Sequence, residues 1–229
     1  MGTSQSEQCL FNDILLENST LTYLRRKLNK WGNSNLESYP WRLSKNEFHT
    51  LVAEIFLQRT KASQVTPVYL KFVEKYPDPK SLTMATVSDV EQLIRPLGLV
   101  WRAKLLLKLA QALKIYRYHV PSNIQTLVTL PGVGPYVASA YLSLHRGKRA
   151  AIVDSNIIRF YGRFFGFVTG PETRRNSDLI KLAELLTPER KVKEFNYSLL
   201  DFSRRVCSPK AHHETCAVKS KCVHYSSIS

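Results

Sequence analysis

Apolar positions recur along most of this chain at helical spacing. From Ser19, a capping residue type, Leu21, Leu24, Leu28 and Trp31 fall on one face and predict a helix that Gly32 ends. Asn46 opens a second helix through Thr60, with Phe48, Leu51, Val52 and Ile55 inward. A third runs from Ser63 to Tyr76 and stops at Pro77 and Pro79. Ser88 caps a fourth, which ends at Pro96-Leu97-Gly98. Trp101 to Tyr116 is long and apolar on the side of Leu105, Leu106, Leu109 and Leu113, and Pro121 ends the next connection. Further helices are predicted near 123–129, 135–145, 155–164, 175–186 and 192–206. Few segments alternate as strands do, and Ala150-Ala151-Ile152-Val153 is short enough to be simple connection. The pattern predicts an all-α protein without internal repeats.

Composition narrows the class. The 229 residues are 44% hydrophobic, 10% aromatic and 22% charged, which is globular rather than disordered and suits one large or two small domains. No uncharged apolar run reaches the roughly 18 residues that a membrane span needs. The first residues show no basic stretch followed by an apolar one, so a signal peptide is not expected. Four cysteines are too few for a disulfide scaffold. Charge adds a direction: 33 Lys and Arg against 18 Asp and Glu leave a net +15. Residues 1–37 are net neutral, whereas 38–148 carry +9 and 149–229 carry +6, so a folded surface displays the excess. Nucleic acid is one explanation and a generic basic surface the other.

The most informative stretch is Leu130-Pro131-Gly132-Val133-Gly134-Pro135-Tyr136-Val137-Ala138, between two predicted helices. Glycines spaced by one residue allow a tight turn with exposed N–H groups, and Pro135 suits a first helical turn. Such N–H groups at a helix start bind anions, DNA phosphate among them. Val133 can plug between the helices. An ordinary helix-glycine-helix corner is the plain alternative. Eighteen residues past Tyr136 comes Val153-Asp154-Ser155-Asn156, where the aspartate has the position of an N-cap.

The nine-residue string resembles a helix-hairpin-helix motif. With Asp154 it resembles the glycine/proline-rich and aspartate signature of the base-excision DNA glycosylases of the endonuclease III superfamily, over roughly residues 38–225. The resemblance implies an all-α, endonuclease III-like two-domain fold. Residues 38–148 would form a six-helix barrel domain with the hairpin. Residues 1–37 plus 149–229 would form a second helical domain with a C-terminal cysteine cluster, and DNA would bind in the cleft between them.

It also implies roles. Asp154 matches the shared catalytic carboxylate, suited to stabilising positive charge on deoxyribose and orienting water, and Asn156 matches a residue that positions it. Tyr136 stands where bifunctional members carry a Schiff-base lysine; a phenol cannot form an imine, so a monofunctional enzyme without lyase activity is expected. Glu54, in Val52-Ala53-Glu54-Ile55-Phe56-Leu57-Gln58-Arg59-Thr60, matches a glutamate that contacts the flipped base, although a solvated helix face is its plain reading. Gln58 and Arg59 match positions that meet the orphaned partner base. In Pro96-Leu97-Gly98-Leu99-Val100-Trp101-Arg102-Ala103, Leu99 matches the wedge used in base flipping, with plain core as the alternative. Arg102 and Lys104 are candidates for phosphate contact or for a merely solvated surface.

Tyr136, Gln58-Arg59 and Leu99 point to one branch, supported by Asp201-Phe202-Ser203. The chain most resembles the archaeal-type G:T mismatch thymine-DNA glycosylases, which remove thymine and uracil opposite guanine. An adenine glycosylase acting on A:G or A:8-oxoguanine is the runner-up, weakened because no long C-terminal extension is seen. A helix-hairpin-helix DNA-binding protein without chemistry is the alternative of another class; RNA binding has no signature. The expected partner is double-stranded DNA with a mismatched or deaminated base, bound by a monomer with no membrane role. The expected location is cytoplasmic, at the nucleoid, in a prokaryote and nuclear otherwise.

The cysteines depart from the family pattern. A [4Fe–4S] cluster there uses C-x6-C-x2-C-x5-C, whereas Cys207, His213, Cys216 and Cys222 read C-x5-H-x2-C-x5-C, with His212 a near alternative. Histidine replaces cysteine at some iron–sulfur centres, and a Cys3His set equally suits zinc; a degraded site without metal is the third reading. Cys9 is remote and reads as a buried or free thiol.

Overall fold

The computed structural model describes residues 18–170 and 172–228; Cys9 lies outside the described residues, as does the segment read for a signal peptide. Among the described residues all regular structure is helical. In chain order the α-helices are α1 (Asn18–Asn35), α2 (Pro40–Leu43), α3 (Glu47–Leu57), α4 (Ala62–Lys75), α5 (Pro79–Thr83), α6 (Val87–Ile94), α7 (Arg102–Ala112), α8 (Ile124–Leu127), α9 (Pro135–Ala140), α10 (Ser155–Phe165), α11 (Ser177–Leu186), α12 (Val192–Arg205) and α13 (Val223–Ser226). A π turn, Tyr141–His145, continues α9. Among the described residues no helix is long and apolar enough to cross a membrane.

The chain divides into two compact units. One is Ser38–Arg146; the other joins the segment up to Glu37 to the chain from Gly147 onward.

In the first unit α3 is the central helix. Asn46 caps it, its side-chain oxygen accepting from the N–H groups of Phe48 and His49. Phe48, Leu51, Val52, Ala53, Ile55 and Phe56 are at most 1% exposed. Such burial all round requires neighbours on several sides, and α2, α4, α9 and the π turn supply them. At about 1.5–3 kcal/mol for each large side chain, this packing fixes α3 as a rigid frame. The helix expected to start at Ser88 is α6, and its cap is Thr86. Thr86 and Asp89 bond reciprocally to each other's backbone N–H, satisfying two donors that a Ser88 cap leaves unmade.

In the second unit α1 packs along α12. Gly32 does not end α1, which continues to Asn35. It is buried against α12, where an added Cβ would lie 1.9 Å from the Ser198 Oγ. Close approach therefore outweighs the roughly 1 kcal/mol that glycine costs inside a helix. Beside it the half-buried Trp31 sets its ring edge on Phe202, centroids 5.2 Å apart. Asp201, 1% exposed, accepts from the Glu37 N–H at 2.9 Å. Arg204 pairs with both Glu37 and Asp201. These bonds tie the N-terminal segment to α12. α10 packs on α12 and α13, and Gly166, at φ +86°, ends it.

Candidate active site

In the hairpin, Leu130 and Val133 are buried, at 5% and 3% exposure. Gly132 takes φ +82°, the left-handed region in which a Cβ is costly. The Val133 N–H donates to the Leu130 carbonyl at 3.1 Å. Val133 thus plugs into the core, as its apolar type suggests, and gives its N–H to the turn. Gly134 is the N-cap of α9 and Pro135 its first residue. An added Cβ on Gly134 would meet nothing within 4 Å, so this side of the turn is open. The N–H groups of a first helical turn point out of the helix end, toward such an opening. Tyr136 is partly exposed one residue further on.

Glu54 is not on a solvated face. Its side chain is 4% exposed, and Oε1 lies 2.7 Å from Nε2 of His145, itself 2% exposed. His145 is the last residue of the π turn, so the continuous helical stretch 135–145 holds Tyr136 near its start and Glu54's partner at its end. α3 ends at Leu57 with Gln58 as its C-cap, and Arg59 follows exposed at φ +58°. A non-glycine residue in that region is strained and needs its surroundings to hold it.

Arg102 is part of what holds it. Expected at a phosphate, Arg102 is 1% exposed and points inward. It donates to the carbonyls of Phe56, at 3.1 Å, and of Gln58. Its own N–H donates to the Leu99 carbonyl at 3.0 Å. Arg102 therefore joins the Gln58-Arg59 corner, through its guanidinium, to the Leu99 loop, through its main chain, and its side chain is enclosed rather than on the surface. Burial first, then the charge of Arg59, pulls its pKa below the ordinary value. The loop it braces turns at Gly98, φ +75°; Leu99 is half-buried, while Val100 and Trp101 stand out at 39% and 55% exposure.

In the other unit Asp154 is the N-cap of α10. Its Oδ1 accepts from the Ile157 N–H at 2.7 Å and its Oδ2 from the Asn156 side-chain amide at 3.0 Å. Asn156 Oδ1 in turn accepts from Arg159 at 3.0 Å. Arg159 also donates to the carbonyls of Cys207, at 2.9 Å, and Ser203, at 3.0 Å. Both oxygens of the carboxylate are thus held, and its partner Asn156 is held as well. Desolvation, followed by the Asp154 charge, pushes the buried Tyr161 phenol well above its ordinary pKa.

Cys207, His213, Cys216 and Cys222 line one cavity, together with His212 and His224. The three cysteines are free thiols. Burial pushes the Cys207 and Cys216 thiols up. Arg163 donates to Cys207 Sγ at 3.7 Å and to the Ser208 carbonyl at 2.6 Å. Among the described residues no three His, Cys, Asp or Glu side chains are set to hold a single metal ion. The donors are gathered around a space rather than closed on a point.

A family model described as HhH-GPD superfamily base excision DNA repair protein matches residues 52–186. The chain belongs to the HhH-GPD superfamily. This HhH-GPD protein is 35% identical over 200 residues to a thymine/uracil-DNA glycosylase of Methanothermobacter thermautotrophicus, covering 86% of this chain and 90% of the relative. Its structure matches that of a thermostable thymine-DNA glycosylase with a TM-score of 0.85 and 33% identity, over 92% of this chain and 98% of the other. It shares its fold with endonuclease III in a non-covalent DNA complex, at a TM-score of 0.78 and 23% identity, over 92% of this chain and 97% of the other. The all-α helix-hairpin-helix fold is as expected, and DNA glycosylase is the activity class. Two side chains of this HhH-GPD protein escaped the sequence reading. His145 lies 91 residues from Glu54, so no local pattern links them. Arg159 was within reach, because it follows Asn156 by three residues on the same helix face.

Proposed function

We propose that this protein is a monofunctional mismatch DNA glycosylase that flips out and releases thymine or uracil opposite guanine. The observation that carries the reading is Asp154, a carboxylate with both oxygens held, in a chain of this superfamily. As the N-glycosidic bond breaks, positive charge grows on the deoxyribose. A fixed carboxylate stabilises that charge without having to reorganise, and it orients the water that captures the sugar. Asn156 positions Asp154. Glu54 meets the flipped base, Leu99 fills the gap it leaves, and Gln58 and Arg59 address the partner base. Gly132 and Gly134 let the hairpin backbone approach a phosphate. Tyr136 offers no amine, so no imine forms and the product is an intact abasic site. The similarity to thymine/uracil-DNA glycosylases over most of both chains supports the base preference. The protein acts as a monomer on chromosomal DNA, in the cytoplasm of a prokaryote or the nucleus of a eukaryote.

The test is base release from G:T, G:U, A:G and A:8-oxoguanine duplexes, read by alkaline cleavage of abasic sites. G:T and G:U are expected to react. Asp154→Asn keeps the cap bond to Ile157 and should fold and bind DNA, yet lose about 100-fold or more in rate. Release of adenine alone overturns the base assignment, a borohydride-trapped adduct overturns the monofunctional reading, and equal binding with no release by either protein leaves a DNA-binding module.

We further propose that Cys207, Cys216, Cys222 and His213 hold a [4Fe–4S] cluster, with zinc on the same donors as the alternative. Three thiols and an imidazole lining one cavity are a donor set that suits either group, and the spacing of Cys216 and Cys222, which keeps the family's x5 interval, favours the cluster. When bound, the group cross-links the 207–222 loop and takes no part in bond breaking. Iron and acid-labile sulfide in the purified protein, with visible charge-transfer absorption, are expected; zinc without iron overturns the cluster.

A further inference from the structure

Glu54 sits between the buried Ala53 and Ile55 on a helix buried nearly all round. A carboxyl group there needs a hydrogen-bond partner, whether or not it carries a proton. The one the structure provides is His145, whose Nε2 is 2.7 Å from Oε1. The other ring nitrogen, Nδ1, is buried with no hydrogen-bond partner. A proton on Nδ1 would therefore be a stranded donor, whereas a proton on Nε2 is used. The neighbouring Tyr141 makes no bond to Nδ1. Tyr141, in the same π turn, lies 6.4 Å away between centroids, is itself fully buried, and leaves its hydroxyl without a partner. His145 reaches Glu54 from a π turn, a widened helical turn found often at functional sites.

We infer that His145 is a positioning residue for Glu54: its Nε2–H donates to Oε1, fixes the carboxyl rotamer, and leaves Oε2 as the oxygen that carries a proton to the departing base. The inference rests on the reading of Glu54 as the residue that meets the flipped base. The step balances simply. The bond between the sugar C1′ and the base nitrogen breaks, and its electron pair goes to the base. The proton on Oε2 passes to the base, and the sugar cation is captured by water, whose released proton goes to solvent, from which Oε2 is reprotonated before the next turnover. Glu54 is left as a carboxylate, and the Nε2–H of His145 is already aimed at it. The histidine thus stabilises the charge that appears on Glu54 during the reaction, while touching neither sugar nor base.

The test uses the full-length protein on a G:T or G:U duplex under single-turnover conditions with enzyme in excess. His145→Ala and His145→Leu should slow base release by about 10- to 100-fold with DNA affinity unchanged. His145→Gln, which keeps an N–H donor at similar reach, should recover most of that loss. In a Glu54→Gln background, His145→Leu should cost less than about twofold, because a residue acting through Glu54 has nothing left to act on. An equal cost in both backgrounds marks a merely structural role and overturns the inference. Leu and Ala variants that keep pace with the wild type overturn it too, while the glycosylase reading stands. A wild type that releases no base from any duplex overturns both. Imidazole nitrogen shifts of the free protein give a check independent of activity: Nε2–H with a bare Nδ1 is expected, and a proton on Nδ1 alone overturns the inference.

Discussion

Arg102 shows how far a side chain's type can mislead about its work. A basic residue at the start of a helix in a DNA-binding protein suggests a phosphate contact, yet this guanidinium is enclosed and its two terminal nitrogens donate to main-chain carbonyls. Replacing it removes charge-assisted hydrogen bonds and strands buried acceptors, each at about 1–3 kcal/mol. Arg102→Met should therefore lower unfolding free energy by about 2–4 kcal/mol, measured by urea denaturation, while the salt dependence of DNA binding stays as in the wild type. A slope that falls with Arg102→Met would return the residue to the DNA surface. The same logic explains what the sequence could not disclose at this scale. Asp154 and Gly132 announce themselves through local pattern, a cap position and a GxG turn. Arg102 and His145 do not, because their partners lie 44 to 91 residues away and are brought in by tertiary packing.

At the scale of elements, legibility followed periodicity. α3, α4, α7, α10 and α12 lie close to their expected spans because their apolar faces repeat over several turns. Misreadings fell where one residue type serves two ends. Glycine marks many helix ends, so Gly32 read as a stop; its buried contact with Ser198 shows a different use, the close approach of α1 and α12. Gly32→Ala should accordingly destabilise the second unit by more than about 2 kcal/mol, since neither packed helix can yield by the distance required. Adding Ser198→Gly, which removes both clashing atoms, should recover a substantial part. Thermal melts of the single and double variants check this; an unaltered melting temperature for Gly32→Ala would mean the helices are not so tightly apposed.

At the scale of the molecule, the net +15 divides between two units that each carry a positive excess. Association with DNA should release counterions in proportion to the phosphates neutralised, so the logarithm of affinity should fall linearly with the logarithm of salt concentration. Lys104, exposed on α7 beyond the Leu99 loop, is a surface cation of the kind that contributes. Lys104→Gln should reduce the slope by about one without altering base preference. Titrations of a G:T duplex at several salt concentrations measure it, and an unchanged slope would assign Lys104 to bulk solvent.

The π turn at Tyr141–His145 makes the pairing of His145 with Glu54 a matter of chain length as well as chemistry. Each residue of an α-helix advances the next by about 100°. Loss of one residue from this turn would restore ordinary winding and swing the imidazole away from the carboxylate, with both side chains still encoded. A single in-frame codon deletion can thus silence the pair without altering either of its members, a route to lost activity that a search for substitutions alone would overlook.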